Sequence, residues 1–299
     1  MALGVGAYST VFENHAPKIA ITIDDPNNDH SPLLSPEKRN QAILDALKNH
    51  DELKAGLFVC GMRVDASQGR ELLKDWRDRG HLIGNHSYSH KNYGSSKMTP
   101  DIYIEDIQRN TKLLESYIGK PRLFRFPYLK EGETVEKRDS MRKFLFEDGY
   151  RNGHVTIDAS DWYINSRMID KIKEHPDLEL APYREFFLAH IWERISFYID
   201  LADKLFAYPV HHTLLLHHNL LNALFLGELL NSLKAKGCVL VDAVTAYADP
   251  IFKSQPSIIP AGESLIWGLA KESGRLENLL RYPGEDGEYE KPKMDALRL

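Results

Sequence analysis

Short apolar runs alternate with amphipathic stretches along most of this chain, and that alternation limits the folds open to it. Lys18–Ile23, Ala55–Cys60, His81–Asn85, Leu123–Phe126, His154–Asp158, Thr213–His217 and Cys238–Val241 read as strands. Helical patterns lie between them. One opens at Ser35-Pro36-Glu37, with a serine cap, a proline at the first helical position and an acid in the first turn. Others span Gly69–Arg79, begin at Thr99-Pro100-Asp101, and span Arg142–Asp148 and Asn222–Lys236. Repeated strand–helix units predict a mostly parallel α/β sheet. About seven strands in ~230 residues predict a barrel or near-barrel more than an open sheet.

Two segments depart from the pattern. Residues 163–209 carry Ile191, Ile195, Tyr198, Ile199 and Leu205 at helical spacing and read as a helical insertion. Residues 251–299, with Pro283-Gly284-Glu285-Asp286-Gly287, read as an extension laid over the surface. The expected organisation is an N-terminal segment 1–17, a main domain 18–250 and this extension. Met1–His15 has neither the charged nor the long apolar region of a signal peptide. The expectation is a periplasmic or secreted protein whose leader has been removed, with a cytoplasmic protein as the alternative.

The charge balance narrows the partners. With 38 basic and 43 acidic residues the net charge is −5, so no basic surplus exists to neutralise phosphates, which argues against a nucleic-acid partner. The apolar runs are short or interrupted, so no membrane span is expected. Cys60 and Cys238 sit in apolar strand-like segments and read as buried thiols rather than a disulfide. The 13 histidines are more than packing needs and justify a search for a metal site.

In parallel βα architectures ligands collect at the carboxyl ends of the strands. Those ends present Asp24-Asp25, His86-Ser87-Tyr88-Ser89-His90, Arg125 with Pro127-Tyr128, Asp158 with Asp161-Trp162, and His217-His218-Asn219. His86 and His90 are four apart, which on a helical turn puts both imidazoles on one face. Two histidines and one aspartate make a three-ligand site with positions open for water. Neighbouring side chains point to opposite faces of a strand. At a strand end the chain can turn, so that one aspartate ligates while the other faces the water.

Thr22-Ile23-Asp24-Asp25, His86-Ser87-Tyr88-Ser89-His90, Arg125-Phe126-Pro127-Tyr128, Asp158-Ala159-Ser160-Asp161-Trp162 and Leu214-Leu215-Leu216-His217 occur in that order. They resemble the motifs of the polysaccharide deacetylases, the NodB-homology domains of carbohydrate esterase family 4, over residues 18–250. The resemblance implies a distorted (β/α) barrel and metal-dependent removal of N-acetyl groups from N-acetylglucosamine glycans, peptidoglycan or chitin-like. It implies Asp25, His86 and His90 as ligands of one divalent ion, zinc first, with cobalt, nickel or iron as alternatives. Asp24 matches the base, Arg125 the residue that orients it, and Tyr128 the oxyanion donor and part of the substrate wall. His217 matches the acid and Asp158 its partner, while Trp162 and Leu216 match the apolar wall around the acetyl methyl. Pro26 stands where the family usually has glycine, Phe126 where it usually has proline, and His218 leaves the acid assignment open to a slip of one. An O-acetyl esterase acting on a polymer such as xylan, and an inactive sugar-binding homologue, are the alternatives. A cytoplasmic enzyme on a small acetylated metabolite is a further one, and the oligomeric state is left open.

Overall fold

The computed structural model describes residues 16–281 and 287–299. The N-terminal segment up to His15 and most of the Pro283–Gly287 turn lie outside the described residues. The elements are β1 (Lys18–Asp24), α1 (Pro36–Lys48), β2 (Gly56–Val59), α2 (Ser67–Asp78), β3 (Leu82–Asn85), α3 (Pro100–Leu114), β4 (Leu123–Phe124), β5 (Lys130–Gly132) and α4 (Val135–Glu147). There follow β6 (Arg151–Asn152), α5 (Asp161–Glu174), α6 (Ala181–Leu205), β7 (His211–His217), α7 (Leu220–Ala235), β8 (Val239–Leu240), α8 (Ala243–Tyr247), β9 (Ala261–Gly262), α9 (Leu265–Ser273) and α10 (Glu290–Ala296).

Seven parallel strands run in the order β6-β4-β3-β2-β1-β7, with β8 beside the start of β1. Strand β1 is central and buried on both faces, as a covered parallel sheet requires, so it reads as an unbroken apolar run. The predicted fifth strand, His154–Asp158, is reduced to a bridge between Ile157 and Leu214 of β7 at one edge of the sheet, while Arg151 and Asn152, just before it, pair with β4 at the other. Gly153 N–H donates to the Phe124 carbonyl at 2.7 Å and Ile157 N–H to the Thr213 carbonyl at 3.0 Å. Residues 151–157 thus carry the chain between the two edges and draw the sheet into a distorted barrel.

Helix α1 starts as its sequence predicts: the Ser35 side chain accepts from Lys38 N–H, and Pro36 occupies the first helical position. Helix α4 starts earlier than predicted, at Val135, capped by Thr134. The stretch after Pro250 is more than a surface strap. Leu265, Ile266, Trp267 and Ala270 of α9 and Met294 of α10 are buried, most of them in the main core with α6. A second core lies under α3 and α4, where Phe126 packs on Phe124 at 4.9 Å and stacks with Tyr103 at 6.2 Å. The aromatic ring at 126 therefore fills space in this cluster that a proline would leave open. Cys60 and Cys238 are buried free thiols. Among the described residues no helix is long and apolar enough to cross a membrane.

Candidate active site

The carboxyl ends of β1, β3 and β7 open into one cavity of about 390 Å³. Asp24 ends β1 and is paired in register with His217, which ends β7, so the two are cross-strand neighbours. Asp25 then leaves the strand in a left-handed conformation, φ 57°. That turn brings both adjacent carboxylates to the cavity instead of sending them to opposite faces. Ser87 (φ 62°), His90 (φ 52°) and Tyr128 (φ 58°) share this conformation. Left-handed backbone costs a non-glycine residue about 1–2 kcal/mol, and here it gathers on the loops around one cavity.

Asp25, His86 and His90 each offer a ligand atom, all within 4.8 Å of one another. The convergence does not come from a helix, as the four-residue spacing predicts. Residues 86–90 form a loop bent at Ser87 and His90 and pinned from outside. Ser87 N–H donates to Asn85, Tyr88 and Ser89 N–H both donate to Asp106, and His90 N–H donates to the Ser87 hydroxyl. His86 Nδ1 lies 2.9 Å from the Arg125 carbonyl, which accepts only if Nδ1 carries the proton. Nε2 is then the unprotonated nitrogen, the one that faces the aspartates. Burial pushes the His86 pKa down to about 3 and lowers that of His90, so both rings are neutral at neutral pH. Asp25 Oδ1 is buried without a hydrogen-bond partner. Arg63 Nε stands 3.7 Å from that oxygen, and the Asp25 carboxylate beside two neutral imidazoles is a donor set that fits a divalent cation.

Asp24 is 3% exposed and receives Arg125 Nη1 on Oδ1 at 2.5 Å. Arg125 is itself fully buried. Its remaining donors go to the Gly153 carbonyl at 2.9 Å, Thr22 Oγ1 at 3.1 Å and Tyr247 OH at 2.8 Å, and it lies 3.7 Å above the Phe58 ring. Burial raises the Asp24 pKa, against the opposing pull of Arg125 and His217. The result is a rigidly held carboxylate that is a stronger base than an exposed one.

His217 is held by Asp161, not by Asp158. Asp161 is 0% exposed and accepts from His217 N–H at 2.9 Å, His217 Nδ1 at 2.7 Å, Asn219 Nδ2 at 3.0 Å and Asn222 Nδ2 at 2.6 Å. The reason is the turn after Ile157. Asp158 remains on the cavity wall, while Asp161 opens α5 and is carried beneath β7. His190 of α6 braces this turn by accepting Ser160 N–H at 3.1 Å. Burial opposes charge on His217, but the Asp161 carboxylate, its hydrogen bond, and Asp24 and Asp25 outweigh it, raising the pKa to about 9. The sequence held one signal for Asp161: Asn222, a polar residue in the apolar first two turns of α7, is buried against it.

Leu216 is also displaced from its expected role. It points into the main core with Leu214, and the alternation of β7 puts Leu215 on the cavity wall instead. The same alternation puts His217 in the cavity and turns His218 away, against Asn40 and Trp76. Trp162, 36% exposed, and Tyr128, 58% exposed, line the cavity, and the Tyr128 ring packs on His90 at 4.8 Å.

The sequence profile of the polysaccharide deacetylases matches residues 13–150. Over this stretch, just under half of its length, the chain is similar to the polysaccharide deacetylases. A peptidoglycan-N-acetylglucosamine deacetylase of Bacillus cereus is 31% identical over 136 residues, 45% of this chain and 47% of that protein. The deacetylase PgdA of Listeria monocytogenes is 27% identical over 156 residues, 52% of this chain and 29% of that protein. The chain thus spans about half or less of the length of these curated relatives. Among solved structures, a polysaccharide deacetylase from Bacillus cereus superposes with a TM-score of 0.53 at 23% identity, covering 76% of this chain and 92% of that one. A pseudoenzyme of carbohydrate esterase family 4 from Bacillus anthracis gives 0.53 at 19%, covering 77% and 65%. At these identities the structures share the fold. The matched family stretch holds Asp24, Asp25, both histidines, Arg125 and Tyr128, and it ends before Asp158, Asp161 and His217.

Proposed function

We propose that this chain is a metal-dependent deacetylase that hydrolyses N-acetyl groups of N-acetylglucosamine units in a glycan, peptidoglycan in the first place, to acetate and a free amine. The observation that carries the reading is the cavity itself: a three-residue ligand set stands beside a carboxylate clamped by Arg125 and an imidazole clamped by Asp161. Asp25, His86 and His90 would hold the ion, zinc first among the divalent metals that two imidazoles and a carboxylate suit. Once bound, such an ion supplies Lewis acidity for the acetyl carbonyl and for a water molecule.

The chain's own groups carry the protons. Asp24, fixed by Arg125, accepts the proton of the attacking water. The Tyr128 backbone N–H donates to the oxyanion, a role for which loss of one donor costs ~3 kcal/mol in comparable sites. His217, protonated through its pairing with Asp161, donates to the departing nitrogen. Leu215 and Trp162 form the apolar wall for the acetyl methyl.

An amine is a poorer leaving group than an alcohol and needs the acid more. The raised pKa of His217 therefore favours N-acetyl over O-acetyl substrates. The peptidoglycan reading carries an extracytoplasmic site of action with it. The test is acetate release from N-acetylated chito-oligosaccharide, peptidoglycan and acetylated xylan, each with and without chelator. Release only from xylan would make it an O-acetyl esterase. Binding without release from any substrate would make it a sugar-binding homologue.

A further inference from the structure

Strands β5 and β9, which strand–helix alternation does not predict, pair antiparallel beside the cavity. Strand β5 follows Tyr128 and Leu129 directly, and β9 comes from the extension beyond residue 250. The junction is tight. Glu263 N–H donates to the Leu129 carbonyl at 2.9 Å. Gly262 holds φ +128°, and a Cβ there would stand 2.0 Å from the same carbonyl oxygen. Only glycine permits this approach. Glu263 is itself left-handed, φ 69°, a further strain concentrated at the cavity rim.

Glu263 and Lys130 both line the cavity and form an ion pair, with side chains only 15% and 14% exposed. The Lys130 charge also reaches Asp158 on the same wall, where it works with Arg194 against the burial that raises the Asp158 pKa. The wall therefore presents one ammonium group among two carboxylates. A fixed donor beside fixed acceptors matches sugar hydroxyls, which donate and accept at once. It is a poor match for a carboxylate, which would face the carboxyl groups of Glu263 and Asp158. Lys130 lies inside the matched family stretch, 13–150, and Glu263 outside it, so this wall joins that stretch to the segment beyond residue 250.

We propose that Glu263, paired with Lys130, is the specificity determinant of the cavity: the pair binds hydroxyls of a neutral N-acetylhexosamine unit, and Glu263 with Asp158 rejects a unit bearing a carboxylate at that place. The inference rests on the glycan reading of the cavity given above. The experiment is calorimetric titration of the full chain with N-acetylchitotetraose and with an oligosaccharide of equal length containing N-acetylmuramic acid. The wild type binds the neutral ligand at least ~10-fold more tightly, and in Glu263→Gln the ratio of the two Kd values shrinks ~10-fold, mainly through tighter binding of the muramic ligand once the repelling charge is gone. An unchanged ratio in Glu263→Gln overturns the proposal. Should Glu263→Gln fail to fold, judged by thermal unfolding, Lys130→Met is read by its Kd for the neutral ligand, where ~10-fold weakening supports the proposal and no change overturns it. Acetate release by the wild type is measured in parallel. Binding with the expected ratio but no release would sink the deacetylase reading alone, while release with an unchanged ratio would sink this inference alone.

Discussion

Asp161 grips His217 at two points, the backbone N–H and ring Nδ1, with a separate carboxylate oxygen for each. The ring cannot rotate away without breaking the second bond, and the strand end cannot shift without breaking the first. Two asparagines from the start of α7 complete the set, so the carboxylate stays ionised at 0% exposure. Burial acts to raise the Asp161 pKa, yet His217 and the Asn222 donor lower it.

Replacing Asp161 by Asn is expected to reduce kcat/KM by ~10²–10⁴-fold, the size of a general-acid contribution. It is also expected to move the alkaline limb of the pH profile downward. Asp158→Asn should leave that limb in place. Steady-state acetate release across pH for both variants checks the pair; equal shifts would return the partner's role to Asp158.

The pH dependence has a definite sign. The folded pKa of His217, about 9, stands above its ordinary 6.5. Its contribution to stability is therefore complete below about 6.5 and lost as pH rises through about 9. On the proposed mechanism, activity needs the imidazolium and is expected to fall in the same direction. Asp25 supplies part of the shift, so a cation bound to Asp25 should lower the midpoint. NMR titration of the His217 ring in metal-free protein should give a midpoint near 9, and a lower one after zinc is added.

Metal content and turnover should separate by residue. His86→Ala is expected to lose both, because it removes a ligand from the set. Asp24→Asn is expected to keep the metal and lose turnover. Elemental analysis of the purified variants decides this, and full metal retention by His86→Ala would refute the ligand assignment.

Arg125→Met leaves Asp24 buried without its cation. Breaking a buried pair of this kind costs ~3–5 kcal/mol. Urea unfolding of the variant should show that loss, and an unchanged midpoint would mean that Asp24 is carried by other groups.

Gly153→Ala tests how the sheet's closure supports the site. A Cβ at 153 would meet Phe58 at 2.4 Å, and Phe58 is the ring under the Arg125 guanidinium. Overpacking there is expected to cost ~1–3 kcal/mol. It should also lower kcat by displacing Arg125, measured beside a thermal melt.

Strand order along the chain, the capped start of α1 and the collection of ionisable residues at strand ends were all legible in the sequence. Each depends on hydrophobic period and local backbone chemistry, which act over a few residues. The partner of His217 was not legible, because Asp158 and Asp161 both follow the same short segment and only the entry into α5 decides which carboxylate lies under β7. Leu215 and Leu216 were likewise indistinguishable until pairing with β1 set the face each one takes. The antiparallel ribbon that brings Glu263 from beyond residue 250 to Leu129 was equally hidden, since it joins stretches more than 120 residues apart. Sequence determined which residue types stand at the strand ends. Tertiary packing decided which of them meet, because register and chain closure are set by contacts between segments that no local pattern encodes.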